Sequence, residues 1–358
     1  MSGQGGKMVD WNLAVNAATK LAGPGPQVSR AEADEVVAEL RDDAHRSTPL
    51  VRDFTGLVAQ EASAPVLVVD RRGWVQANAD GFDRLLSPVV DKLLEKRGKV
   101  PGEGIADAIG SKVTGLEVGG LLGFLAGKVL GQFDPFHGEP GSAEVGRLLL
   151  VAPNIVSVER ELEVDPHDFR LWVCLHEETH RVQFTAVPWM RDHLEQQVEG
   201  LVGGLDLEPG AMVSALGDAA RRAGDVLSGK GDGSLLDLFA TPAQREIIDR
   251  VTGMMSLLEG HADVVMDGVG PEVIPSVDRI RERFNRRRKG ASSLDRLVRR
   301  LLGLDAKMAQ YRDGAKFVRA VVDEVGMDGF NKVWVEPDNL PSKAEIGDPA
   351  AWVRRVHG

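Results

Sequence analysis

One short segment, His176-Glu177-Glu178-Thr179-His180, constrains the fold more than any other part of the sequence. In an α-helix, residues four apart lie on the same face, so His176 and His180 can direct their imidazoles at one metal ion. Glu177 lies one step round the helix, where its carboxylate can reach a water molecule on that metal. The pattern therefore requires a helix, and it predicts the chemistry of zinc-dependent amide hydrolysis.

The residues around this segment indicate where its helix begins and ends. Asp165 is a suitable N-cap, and Pro166 is favourable at the first helical position. The apolar pattern continues to about Thr185 and stops before Pro188. We therefore predict one capped helix that carries both histidines.

Short strands are predicted ahead of this helix. Leucine-rich and β-branched runs at Leu148–Val151 and Ile155–Val158 are separated by Pro153 and favour two strands. Farther upstream, 65–70 and Trp74–Ala77 flank a turn-like Arg-Arg-Gly sequence and favour a hairpin.

The remainder of the chain is predicted to be mainly helical. Ser29 and Glu32 have the spacing of a capping box, and Thr241 with Pro242 resembles a second helix start. The apolar stretch 104–130 contains glycines at 119, 123 and 127, which favour close approach by another backbone. The predicted helices are 29–46, 79–97, 104–130, 165–185, 194–201, 241–267 and most of 275–325, with a loop at 227–235.

Composition limits the class of protein. With 43% hydrophobic residues in 358, the chain can form a substantial core, and a net charge of −11 argues against bulk nucleic-acid binding. The single cysteine, Cys174, excludes an intrachain disulfide framework and is interpreted as a small core residue. The longest apolar run, Val118–Gly127, is too short to span a membrane, and the N-terminus lacks a secretory signal. We therefore expect a cytoplasmic protein.

A catalytic zinc site usually needs a third protein ligand. The continuation found in metzincins would place glycine at 183 and histidine at 186, but this chain has Gln183 and Ala186. Glu259 and Asp263 are four apart in the predicted helix 241–267 and share a face. Glu259 is the candidate third ligand, although a solvent-facing acidic edge would have the same pattern. Asp263 is a candidate hydrogen-bond partner for a histidine ligand.

These two patterns together resemble the gluzincin type of zincin metallopeptidase. More closely, the chain resembles a bacterial family of zincin-like zinc metallopeptidases, sometimes labelled as associated with deazaflavin coenzyme biosynthesis. The resemblance is spread over most of the chain, in the stretches Val9–Trp11, Val129–Asp134, Leu175–Phe184, Leu258–Asp267 and Lys307–Gly314.

The resemblance implies a role for each residue of the site. His176, His180 and Glu259 would bind zinc, and Glu177 would be the general base for a zinc-activated water. Apart from the resemblance, Tyr311 is the sole tyrosine and lies in a predicted helix after Lys307, so it is one candidate donor to the oxyanion; packing against a neighbouring helix is at least as favoured.

Other assignments are left open by the sequence. His193, His261 and nearby arginines compete with Tyr311 as oxyanion donors. By resemblance, Asn154–Glu159 is the candidate edge strand for a peptide substrate, with an ordinary interior strand as the alternative.

A basic run provides the main rival interpretation. Arg279–Arg300 contains ten basic residues and two acidic ones, which is conceivable for a nucleic-acid patch. The run has little aromatic interleaving, so arginines that are solvated or paired within the molecule are favoured.

Taken together, the sequence predicts a mainly helical α+β protein with a small sheet and a zincin-like core. Residues 1–140 would form an N-terminal region packed on a catalytic region, 141–358. The predicted activity is that of a zinc-dependent metallopeptidase or related amide hydrolase acting on a peptide or protein, without nucleic-acid or membrane partners. The alternatives are a non-catalytic zincin-like binding protein that retains a metal, and a nucleic-acid-associated protein that uses Arg279–Arg300.

Overall fold

The computed structural model describes residues 9–59, 64–96, 105–138, 146–203, 242–289 and 304–358. Within these ranges the protein has an α+β fold that is mainly helical and contains one small sheet. The strands are β1 (Val66–Val69), β2 (Gly131–Asp134) and β3 (Arg147–Val151). The helices are α1 (Trp11–Ala22), α2 (Arg30–Thr55), α3 (Arg71–Lys96), α4 (Ile105–Ala126), α5 (Ala152–Leu162), α6 (Pro166–Ala186), α7 (Met190–Gly203), α8 (Pro242–Val269), α9 (Val277–Lys289), α10 (Leu304–Phe330), α11 (Lys343–Gly347) and α12 (Pro349–His357), with 3₁₀ turns at Asn331–Trp334 and Pro337–Asn339.

The three strands are arranged in the order β1-β3-β2. β3 is parallel to β1, with Val66 opposite Leu148, and antiparallel to β2, with Gly131 opposite Leu150. All five residues of β3 are buried, as expected for a central strand covered on both faces. Among the described residues, β2 therefore forms an edge of the sheet.

The chain forms two compact units, Met1–Arg191 with Val265–Phe284, and Asp192–Val264 with Asn285–Gly358. The first unit contains the sheet and helices α1 to α6. The second contains α7, α10 and the two C-terminal helices. Our division at residue 140 concerned function rather than compactness, and it stays a prediction.

The first unit has an apolar core to which α1, α3, α4 and the sheet contribute. Its buried members are Val15, Ala18, Trp74, Val75, Ala77, Ala79, Leu122, Ala126, Leu149 and Val151. Burial of these side chains removes apolar surface from water and holds the helices against the sheet.

Close packing of α4 against the α1 segment confirms the interpretation of the α4 glycines, in a shifted register. A Cβ on Gly115, Gly119 or Gly123 would lie 2.7 to 2.9 Å from carbonyl oxygens of residues 10, 14 and 18. Gly127 has no such neighbour, since the nearest atom is 4.0 Å away. The glycines that allow this approach therefore begin one turn earlier than predicted.

The predicted hairpin at 65–77 is wrong in its second half. Val66–Val69 is a strand, but the chain then enters α3 at Arg71. The side chain of Asp70 accepts a 2.6 Å hydrogen bond from the Gly73 amide, and its carbonyl accepts one from Trp74. Asp70 thus begins a helix at the position that we interpreted as a turn.

The predicted strand Ile155–Val158, and with it the candidate edge strand Asn154–Glu159, is also wrong. These residues lie in α5, with Pro153 in the first turn of the helix. The buried positions 154, 155, 156, 158, 159 and 162 include neighbours in sequence and recur at intervals of three and four, as in a helix and not in a strand with alternating faces. A proline that we interpreted as a strand break is a helix start.

Several other predictions are confirmed. Ser29 caps α2 by accepting from the Glu32 amide, although α2 continues beyond the predicted end to Thr55. The helix predicted to begin near Thr241 is α8, while Thr241 and the predicted loop 227–235 lie outside the described residues. None of the helices in the described ranges combines the length and apolar character that a bilayer crossing requires.

Candidate metal centre

The helix that carries the histidines, α6, begins where the sequence predicts. The side chain of Asp165 accepts hydrogen bonds from the amides of His167 (3.0 Å) and Asp168 (3.1 Å). Pro166 is the first helical residue, and the helix ends at Ala186. The cap fixes the register of the helix and hence the directions of its side chains.

One face of α6, here called the anchoring face, consists of Arg170, Cys174, Glu178 and Arg181. Arg170 pairs with Glu159 at 2.6 Å, and Arg181 pairs with Glu178 at 2.5 Å. The Glu178 side chain is 0% exposed and that of Arg181 is 8% exposed. The Arg170 pair joins α6 to α5, whereas the Arg181 pair lies within α6. Breaking either pair would leave a buried charge without compensation.

Cys174 confirms its interpretation as a core residue on this anchoring face. Its Sγ lies 3.7 Å from the Leu40 carbonyl oxygen of α2. Burial raises the pKa of the thiol well above its ordinary value, with nearby carboxylates acting in the same direction. The cysteine is therefore a protonated packing residue between α6 and α2, on the helix face away from the two histidines.

The opposite face, here called the metal face, consists of His176, His180 and Gln183. The Nε2 atoms of the two histidines lie 3.2 Å apart, and their rings are nearly perpendicular at 89°. Two nitrogen ligands on a tetrahedral zinc ion, each about 2.0–2.1 Å from it, are about 3.3 Å apart. The two imidazoles thus have the separation that a shared zinc ion needs.

The outer nitrogen of each imidazole has a different neighbour. His180 Nδ1 lies 2.9 Å from Gln183 Oε1, three residues along the same helix. His176 Nδ1 lies 3.2 Å from the Sδ of Met266 on α8. Each histidine is therefore held from behind, one by an amide oxygen and the other by a thioether.

Glu177 is buried at the edge of the metal face, beside strand β2. A Cβ on Gly131 would lie 2.5 Å from Glu177 Cγ and 2.8 Å from its Oε1. Because Gly131 has no side chain, the Glu177 side chain can pack directly against the backbone of β2. The edge strand β2 thus lies beside the Glu177 carboxylate, which is next to the two histidines in the sequence.

Glu259 completes a group that can hold a metal ion. His176, His180 and Glu259 each offer one ligand atom, and these atoms lie within 4.8 Å of one another. Two imidazole nitrogens and a carboxylate oxygen are the donor set of His₂Glu catalytic zinc sites, so the residues fit zinc. Glu259 lies seven residues before Met266 in α8, about two turns along the same face.

The other predicted site residues are less closely defined. Asp263 is half-buried one turn after Glu259, and its role stays a prediction. Tyr311 lies in α10, but its side chain is outside the described residues. His261 is buried against the rings of Phe330 and Trp334, at centroid distances of 5.4 Å, as befits a core residue.

His193, a rival oxyanion donor, lies half-buried in α7. Burial lowers the pKa of its imidazole, and the charge of Arg250 acts in the same direction, partly opposed by Asp338. A neutral imidazole is thereby favoured, and its role in catalysis stays a prediction.

The described part of the basic run, residues 279–289, makes ion pairs within the molecule. Arg281 pairs with Asp267 at 2.6 Å and lies over the ring of Trp172. Arg283 pairs with Glu163 at 3.3 Å. These contacts support the interpretation of intramolecular pairing for this stretch, while residues 290–300 lie outside the described ranges.

Three residues contact the site residues but were not predicted from the sequence, namely Gly131, Gln183 and Met266. Gln183 could have been found from its spacing, since residues three apart share a helix face. Gly131 and Met266 lie within stretches that carry the family resemblance, but nothing local relates them to the histidines. Their proximity follows from packing alone.

Comparison with known proteins agrees with this geometry. A sequence profile described as zincin-like metallopeptidase matches residues 9–353. The crystal structure of a Chloroflexus aurantiacus protein, described as a candidate hydrolase with a novel fold, is 33% identical, with a TM-score of 0.69. The match covers 98% of this chain and 99% of that one. No curated protein matches the sequence significantly.

Members of a zincin family are expected to use a metal, usually zinc, and the His-His-Glu group supplies residues suited to it. The profile and the structural match both extend over nearly the full chain. This protein therefore belongs to the zincin-like metallopeptidase family.

Proposed function

We propose that the protein is a zinc-dependent metallopeptidase or a related amide hydrolase. His176, His180 and Glu259 would be the metal ligands, and Glu177 the general base. The observation that carries the proposal is the 3.2 Å separation of the two Nε2 atoms, with Glu177 next to them in the helix. A site that only stabilises the fold has no need of a carboxylate in that place.

The residues of the chain would divide the reaction among them. Zinc, when bound, lowers the pKa of water towards about 7 and polarises the carbonyl of the substrate. Glu177 would take the proton from the attacking water and pass it to the leaving amine, so that the proton is conserved across the step. The oxyanion needs a further donor, for which Tyr311 and His193 stay candidates.

Strand β2 supports a peptide as the substrate class. It forms one of the two sheet edges among the described residues and passes beside Glu177 at Gly131. An extended peptide that paired with this edge would have its backbone amides close to the general base. We therefore assign to β2 the role that the sequence had suggested for Asn154–Glu159.

The proposal is tested by measuring metal content and hydrolysis together. We expect about one zinc per chain in the wild type and in Glu177→Gln, and clearly less in Glu259→Ala. We also expect the wild type to cleave members of a peptide library, and this activity to be lost with a chelator and in Glu177→Gln. His45→Ala, which removes an exposed histidine outside the site, is the matched control and should behave as the wild type.

Each alternative function has its own outcome. A wild type without zinc would overturn the metal site, and full zinc in Glu259→Ala would overturn the third ligand. Zinc without hydrolysis of any peptide would favour the non-catalytic binding protein. Salt-dependent binding of nucleic acid would favour the third class, which the ion pairs of Arg281 and Arg283 argue against.

A further inference from the structure

We propose that Gln183 is a positioning residue that fixes the tautomer and orientation of His180 for metal binding. This inference rests on the metal site of the proposed function and adds a residue to it. The sequence singled out Gln183 only because a metzincin would have glycine there. The structure gives the same residue a direct contact with a ligand histidine.

The geometry of the contact defines the hydrogen bond. Gln183 Oε1 lies 2.9 Å from His180 Nδ1. An amide oxygen only accepts hydrogen bonds, so Nδ1 must carry the hydrogen and donate it. In a neutral imidazole, a hydrogen on Nδ1 leaves the lone pair on Nε2. That nitrogen is the one that lies 3.2 Å from His176 Nε2. The bond therefore presents the correct atom of His180 to the metal.

The burial of Gln183 supports a specific role. Gln183 is 0% exposed, and a leucine at this position would fill a similar volume. Burying a carboxamide costs free energy unless it is hydrogen-bonded, whereas an aliphatic side chain gains from burial. A glutamine at this position is accounted for by the bond that it accepts from His180.

The side chains next to the outer nitrogens of the two histidines differ in how well they accept a hydrogen bond. A carboxamide oxygen is a good acceptor, whereas the Met266 thioether next to His176 Nδ1, at 3.2 Å, is a weak one. Residues behind metal-bound histidines typically change metal affinity by about 10- to 100-fold when replaced. We therefore expect Gln183 to matter for zinc affinity and Met266 to matter much less.

The experiment measures the zinc dissociation constant by competition with a chromophoric chelator. We expect Gln183→Leu to bind zinc about 10- to 100-fold more weakly than the wild type. Gln183→Glu, which restores an acceptor oxygen, should recover most of the affinity, and Met266→Leu should change it by no more than about threefold. The visible spectrum of the cobalt-substituted protein should change in Gln183→Leu and return in Gln183→Glu.

Outcomes for the inference and for the proposed function are distinct. A wild type that binds no zinc overturns the proposed function. A wild type and a folded Gln183→Leu that bind zinc equally overturn only the role of Gln183. Should Gln183→Leu not fold, Gln183→Met keeps the length of the side chain with a weak acceptor, and equal zinc affinity in that variant also overturns the inference. Failure of Gln183→Glu to recover zinc affinity would likewise contradict the inference, because a positioning role predicts that any acceptor oxygen at this place restores the hydrogen bond to His180.

Discussion

Two adjacent buried glutamates of α6, Glu178 on the anchoring face and Glu177 at the edge of the metal face, have different surroundings. On the anchoring face, Glu178 is fully buried and paired with Arg181 at 2.5 Å. At the edge of the metal face, Glu177 lies against the backbone of Gly131, next to the two histidines. Both carboxylate oxygens of Glu178 accept hydrogen bonds from the Arg181 guanidinium, at 2.7 and 2.5 Å, on the face away from the histidines. Two adjacent glutamates thus have different surroundings, which agree with the structural role that we assign to Glu178 and the chemical role that we propose for Glu177.

The largest effect should come from Glu177→Gln. We expect the rate of peptide hydrolysis to fall by about 10²- to 10⁴-fold, which is the usual contribution of a general base. The free energy of unfolding should change little, because the amide is close in size to the carboxylate. Rates and urea unfolding measured on the same preparation would check both expectations. A stable variant with undiminished activity would contradict the proposed role of Glu177 as general base.

The mirror-image variant, Glu178→Gln, should mainly affect stability. Removing the Glu178 carboxylate leaves the Arg181 guanidinium, whose side chain is 8% exposed, without its buried partner. We expect a loss of about 3–5 kcal/mol in the free energy of unfolding. Asp34→Asn is the control, since its ion pair with Arg30 is exposed on both sides and should be worth less than about 1 kcal/mol. Urea denaturation distinguishes the two, and equal small losses would contradict the anchoring role.

Gly131→Ala tests what surrounds Glu177 rather than Glu177 itself. The new Cβ would lie 2.5 Å from Glu177 Cγ, so the carboxylate must move by about 1 Å. A displacement of that size can reduce a rate by about 10²-fold. We expect this loss with zinc content unchanged, as measured by kinetics and metal analysis. Gly120→Ala is the control, because a methyl group added there would have no atom within 4 Å, and this variant should retain full activity.

The smallest effect concerns the surroundings of the anchoring face. Asp43 on α2 is buried close to Cys174, and burial raises the pKa of its carboxyl to about 6, partly opposed by Arg46. The folded protein thus keeps this proton over a range where the unfolded chain, with an ordinary value of 3.8, has released it. The stability that Asp43 contributes is greatest below the unfolded value and is lost as the pH rises through about 6.

Asp43→Asn removes this titration, so the variant should gain stability relative to the wild type between about pH 4 and pH 7. Urea unfolding at the two pH values measures the difference. A difference between variant and wild type that is the same at both values would contradict the buried, protonated carboxyl.

Much of the fold was predictable because the signals are local. The Asp165 cap with Pro166 defined the start of α6, and the Ser29 cap defined that of α2. The errors occurred where one local signal has two meanings. Pro153 suits both a strand break and a helix start, and Asp70 suits both a turn and an N-cap. Tertiary packing decided each case in favour of a helix.

The candidate site shows the same division. The sequence by itself determined that His176 and His180 share a helix face with Glu177 nearby, because the helical period depends only on spacing. It also indicated Glu259, through a second pattern in a later helix. The tertiary structure alone decided that Gly131 makes room for Glu177, that Met266 lies behind His176, and that Glu178 is neutralised by Arg181. The physical reason is that spacing sets which side chains point together, whereas what they meet depends on segments far apart in the chain.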